Sequence, residues 1–122
     1  MINPKEFRIG NLVNYMGQVY KVVGIQRSHV YVLYEIKDCS VSRDYFVSKD
    51  NLELEPIQLT DEILIEMGAC EVRDGEFIIS QRMILRTELW YIDYVSRTEL
   101  KSVHKLQNFI YEFNGEEITL NK

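Results

Sequence analysis

From Ser102 to Glu117 the chain reads SVHKLQNFIYEFNGEE. At about 100° of rotation per residue, Val103, Leu106, Phe109, Ile110 and Phe113 fall within an arc of about 120°. His104, Gln107, Asn108, Tyr111 and Glu112 fall on the opposite arc. That spacing predicts an amphipathic helix with one buried face. Ser102 is placed to cap its start, and Asn114-Gly115 to stop it.

Upstream the period changes. RIGNLVNYMGQVYKVVGI holds two β-rich runs, Leu12–Tyr15 and Val19–Ile25, with Met16-Gly17 between them as a tight turn. In HVYVLYEI, Val30, Val32, Tyr34 and Ile36 alternate with Tyr31, Leu33 and Glu35. Both sets are largely apolar, which predicts a strand packed on two sides. Tyr45–Val47 and Asn51–Glu55 read as shorter strands, and Pro56 ends the series. Five short strands joined by turns predict a small, strongly bent sheet or barrel. Gly10 before a strand, a glycine turn and a valine-rich strand together resemble the small barrels of the Tudor and KOW kind.

The second half opens with a short helix at TDEILIEMG. Thr60 suits its N-cap, Asp61 and Glu62 its first turn, Leu59 and Leu64 a hydrophobic staple, and Gly68 its end. Asp74-Gly75 predicts a hairpin joining Cys70–Arg73 to Glu76–Ser80. Met83–Arg86 and Leu89–Val95 read as two more strands around a turn at Thr87-Glu88, and Ile118–Leu120 as a returning edge strand. The expected fold is α+β. An N-terminal small β-barrel-like module spans residues 1–57, and a C-terminal antiparallel sheet packed by two helices spans 58–122, with Pro56 as the one candidate boundary.

Charge changes the picture. The net charge is −5 over 122 residues. The first 57 residues carry equal numbers of acids and bases, so the whole excess lies in the second half. That disfavours non-specific binding to nucleic acid, which needs a basic surface, but leaves room for a local basic patch. No apolar run approaches the roughly 18 residues of a membrane span. MINPKEFRIGN lacks the apolar core of a signal peptide, so a cytoplasmic location is expected and no membrane partner.

Candidate chemistry is sparse. Cys39 and Cys70 match no metal-ligand spacing and read as two reduced, partly buried thiols. The two histidines lie 75 positions apart, with no HxxxH or CxxC arrangement. Asp61-Glu62 and Glu116-Glu117 adjoin helix ends and read as solvated charges, and the six glycines form no phosphate loop. No metal and no cofactor is expected. His104, Gln107 and Asn108 are the best polar constellation, since positions i, i+3 and i+4 project from one helical face. With Tyr111 they form a candidate binding patch; the plainer alternative is that they bond to neighbouring elements or are solvated. Catalysis at His104 would need a serine or cysteine within reach. Aromatic residues offer a second candidate. Tyr31, with Tyr15, Tyr20, Tyr34, Tyr45 and Phe46, belongs to the first half, where some could line a groove flanked by Lys21, Arg27, Lys37 and Arg43. In the second half Trp90, Ile92 and Tyr94 share one strand face, and Tyr91, Asp93 and Val95 the other. One of the two faces is expected to be core and the other an interaction surface.

Three segments, Arg8–Tyr15 (RIGNLVNY), Leu54–Leu64 (LEPIQLTDEIL) and Val103–Leu120 (VHKLQNFIYEFNGEEITL), resemble a group of small uncharacterised proteins of Bacteroides-type bacteria and their phages or prophages. The family pattern is RIGNxV, then EPIxLT, then VHxLQN and GEE. Here Lys105 stands where the family has glutamine, and residues 70–100 match no motif. The resemblance implies a phage or mobile-element setting and supplies no catalytic residue. The expected function is therefore a non-enzymatic binding or adaptor protein with a protein partner, and self-association into a homo-oligomer is admitted. One alternative is nucleic-acid binding through the N-terminal β module. The other is a small enzyme using His104.

Overall fold

The computed structural model describes residues 7–27, 32–39, 46–50 and 54–120. The chain divides into two compact units, Met1–Ile57 and Gln58–Lys122. The fold is α+β, with two antiparallel sheets and two helices.

The first unit is a meander of β1 (Leu12–Tyr15), β2 (Gln18–Arg27), β3 (Val32–Asp38) and β4 (Phe46–Asp50), in that order across the sheet. Met16 and Gly17, both at positive φ, turn β1 into β2. A register shift between Val22 and Gly24 bends β2. After β4 the chain returns to β1, where Asn14 and Glu55 exchange backbone hydrogen bonds of 2.8 and 2.9 Å. Phe7, Val13, Tyr20, Val22, Ile36 and Leu54 form the core, with Tyr15 packed against it edge-on to Tyr20. Among the described residues no closed barrel is formed. The RIGN segment is a folding device. Asn11 is fully buried, its Oδ1 accepts from Arg8 N at 2.7 Å, and Gly10 takes a φ of 101° so that its N–H reaches Val22 O.

The second unit opens with α1 (Asp61–Glu66), capped by Thr60 Oγ1, which accepts from Ile63 N at 3.2 Å. Leu59 and Leu64 are both buried, as a hydrophobic staple requires. Five strands follow in sequence order across one sheet: β5 (Cys70–Arg73), β6 (Glu76–Ile79), β7 (Arg82–Arg86), β8 (Tyr91–Asp93) and β9 (Glu99–Leu100). Helix α2 (Val103–Asn114) ends at Gly115, whose φ of 67° lets its N–H return to Tyr111 O.

Alternation along the strands sets two faces. Phe77, Ile79, Ile84, Tyr91 and Leu100 are buried on one. Arg82 shares that face and lies over Phe109 of α2, while Tyr91 and Arg86 reach Asp61 of α1, so both helices cover it. The opposite face carries Ile78, Met83, Leu85, Ile92 and Tyr94. Its cross-strand pairs are Ile78 with Met83 and Leu85 with Ile92, and Tyr94 N donates to Met83 O.

Several features depart from the sequence reading, among them the strand expected at Leu89–Val95, which is confined to Tyr91–Asp93. Glu99–Leu100, just before the second helix, forms an edge strand that the sequence pattern did not mark. Ile118–Leu120 forms no strand; its Ile118 carbonyl is instead taken by Gln107. Phe113, placed on the buried arc, is 55% exposed, with one side against Phe109 and Arg82. Ser80-Gln81 turns β6 into β7 with φ of 49° and 66°, a two-residue hairpin that ordinarily takes Asn-Gly.

Candidate functional site

The polar arc of α2 is largely interior. His104 is 2% exposed and Gln107 0%. His104 Nδ1 and Ser102 Oγ share a hydrogen bond of 3.2 Å, and Gln107 Nε2 donates to Ile118 O at 2.8 Å. Ser102, the N-cap residue by backbone geometry, therefore spends its hydroxyl on the imidazole rather than on the helix N–H groups. A serine beside a histidine is a nucleophile–base pair only where substrate can reach it. Here both side chains are buried and offer a substrate no face. Asn108 is half-buried and Tyr111 is 46% exposed, so the four residues do not form one accessible patch. Tyr31 lies outside the described residues. Of the other first-half aromatics, Tyr20 is core and Tyr15 packs on it. Cys39 is half-buried and Cys70 is exposed rather than partly buried, and neither is in a disulfide.

Trp90 stands in a different setting. It precedes β8 and is half-buried, and alternation with the buried Tyr91 puts it on the sheet face away from the helices. Lys101 Nζ sits 4.4 Å from the centre of its ring. At the other end of β8, Tyr94 is 50% exposed and the Arg97 guanidinium lies 5.5 Å from its ring centre. Between the two aromatic–cation pairs, Ile92 opposes Glu99. The β8–β9 hairpin thus presents two aromatic rings, each with a cation, beside the apolar row Ile78, Met83 and Leu85. Trp, Tyr, Met and Arg are the residue types concentrated in protein interfaces and at their energetic centres.

A buried ion pair builds this hairpin. Asp93 is fully buried and accepts from Arg82 Nε at 3.1 Å and Nη2 at 2.7 Å. Its Oδ2 also accepts from Ser96 N and Ser96 Oγ, each at 2.9 Å, and Arg97 N donates to Asp93 O at 2.9 Å. Burial alone would push the Asp93 carboxyl up; the Arg82 guanidinium and then the Ser96 bonds outweigh it and hold it below its ordinary range. One carboxylate therefore joins the core to the turn that carries Tyr94 and Arg97. Arg97 itself holds a φ of 61°, a left-handed conformation uncommon outside glycine.

A third cluster sits on the helix side. Asp61 accepts from the Tyr91 hydroxyl and from Arg86, whose Nη2 also donates to Asp74 Oδ1 at 2.8 Å. Burial pushes the Tyr91 hydroxyl up, and its bond to Asp61 adds to this. The phenol therefore stays protonated as a donor, and the cluster fastens α1 to the sheet.

Among the described residues no group of three or more His, Cys, Asp or Glu side chains could hold a metal ion. Among them, too, no helix is long and apolar enough to cross a membrane. No family model, no curated protein and no solved structure matches the chain. The surface was half legible in the sequence: alternation put Trp90 and Tyr94 on one face, but gave no sign that Lys101 and Arg97 would stack on them.

Proposed function

We propose that the chain is a non-enzymatic binding or adaptor protein whose docking surface is the helix-free face of the C-terminal sheet. The observation that carries this reading is the juxtaposition of Trp90–Lys101 and Tyr94–Arg97 beside a half-exposed apolar row. Anchoring aromatics ringed by adaptable polar groups are where interfaces concentrate their affinity. The burial of His104 and Gln107 supports a structural role for them and speaks against an enzyme built on His104. The motif resemblance is what supports a phage or mobile-element setting, and with it a partner from that element or its host.

For the first unit we keep the small-barrel reading of the Tudor and KOW kind. The return of Glu55 to β1 and the bend in β2 support it. Its nucleic-acid-binding corollary has the weaker support, since Tyr20 belongs to the core and Tyr15 packs against it.

Affinity capture from native lysate with the full chain and with a Trp90→Ala/Tyr94→Ala variant tests the docking surface. The expected result is a partner retained by the first and lost by the second. Identical captures by the two would refute the reading.

A further inference from the structure

The chemistry of the proposed docking face also constrains what it receives, and the following rests on that reading. Among the described residues of the second unit, Arg73 pairs with Glu76, Arg82 with Asp93, and Arg86 with Asp61 and Asp74. Arg97 and Lys101 differ. Each lies over an aromatic ring and, among the described residues, forms no ion pair. A cation over a ring keeps most of its hydrogen-bonding capacity, because the ring attracts charge without accepting the N–H groups. Both cations border the apolar row and stand four residues apart, at most about 13 Å at the rise of a strand.

We propose that this face receives an acidic protein segment, an apolar stretch carrying a carboxylate toward each end to meet Arg97 and Lys101. Glu99 lies between the two cations, across from Ile92. It disfavours an acid at the middle of the segment and so fixes where the carboxylates fall. The unit's overall negative charge does not forbid this, because charges beyond about 8 Å are largely screened at physiological salt. A nucleic-acid strand is the less suitable occupant. Its evenly spaced phosphates would meet Glu99, and the apolar row would gain nothing from them.

The test is selection followed by titration. Random 12-residue peptides displayed on phage are panned on the full chain, and the recovered peptides are synthesised. Trp90 is the only tryptophan, so its emission reads occupancy of the face. Recovered peptides should carry Asp or Glu on both sides of apolar residues. Their affinity should fall at least tenfold in Arg97→Glu/Lys101→Glu and severalfold in the milder Arg97→Gln/Lys101→Gln, and rise about twofold in Glu99→Gln. Peptides without acids, or affinities indifferent to charge reversal, would overturn the acidic segment while leaving the docking face standing. Failure to recover any peptide that perturbs Trp90, or tighter binding of a dT12 oligonucleotide than of the peptides, would overturn both.

Discussion

The two faces of the C-terminal sheet use cations in opposite ways. On the helix-covered face, Arg82 and Arg86 are satisfied by Asp93, Asp61 and Asp74. On the other, Arg97 and Lys101 rest on Tyr94 and Trp90 with no carboxylate partner among the described residues. The first arrangement consumes the charge in holding the fold. The second holds the side chain in place while leaving its donors for another molecule. A cation is thus structural or available according to whether a carboxylate or an aromatic ring lies beside it.

Breaking the inner pair should have the largest effect. Arg82→Met leaves the buried Asp93 carboxyl with only the Ser96 donors, which costs about 3–5 kcal/mol. Urea unfolding should show the loss. The same pair sets an acid sensitivity. An unfolded aspartate takes up its proton near pH 3.9, and Asp93 in the fold takes it up at lower pH. Across that interval the unfolded state binds more protons, so Asp93's contribution is present above about pH 4 and is lost as pH falls through its folded value. In Asp93→Asn this part of the acid-induced loss should vanish.

Next in size is the tie between α2 and the following segment. Gln107→Ala strips the buried Ile118 carbonyl of its donor and should cost about 1–3 kcal/mol. The Ser80-Gln81 turn works in the opposite direction. Asn-Gly at these positions suits their positive φ and should raise stability by about 1 kcal/mol, read as an upward shift in thermal midpoint. Smallest is the outer face, where Lys101→Gln should change stability by no more than about 0.5–1 kcal/mol. A loss there as large as that of Arg82→Met would erase the contrast between the faces.

The distribution of these effects explains what the sequence could reveal. Local signals were legible: Thr60 and Gly115 at helix ends, Met16-Gly17 and Asp74-Gly75 at turns, and the buried stripe Val103, Leu106, Phe109 and Ile110. Pairings across the fold were not. Polarity assigned His104 and Gln107 to an outer arc because nothing local shows that the tail will bring Ile118 O against Gln107. Asp93 shares its strand face with Tyr91, and a buried carboxylate becomes intelligible only when Arg82, eleven residues earlier, faces it across the sheet. Phe113 completes the helical stripe by period, yet only one side of it meets Phe109 and Arg82. Ser80-Gln81 carries no glycine or asparagine, so the turn chemistry that marks the other hairpins was silent there.

The most direct test sets the outer sheet face against what remains accessible of the α2 polar arc. Affinity for the captured partner should be measured in Trp90→Ala/Tyr94→Ala and in Asn108→Ala/Tyr111→Ala, each confirmed folded by thermal unfolding. A loss of at least tenfold in the first and less than twofold in the second is the expected result. The reverse order would contradict the docking face.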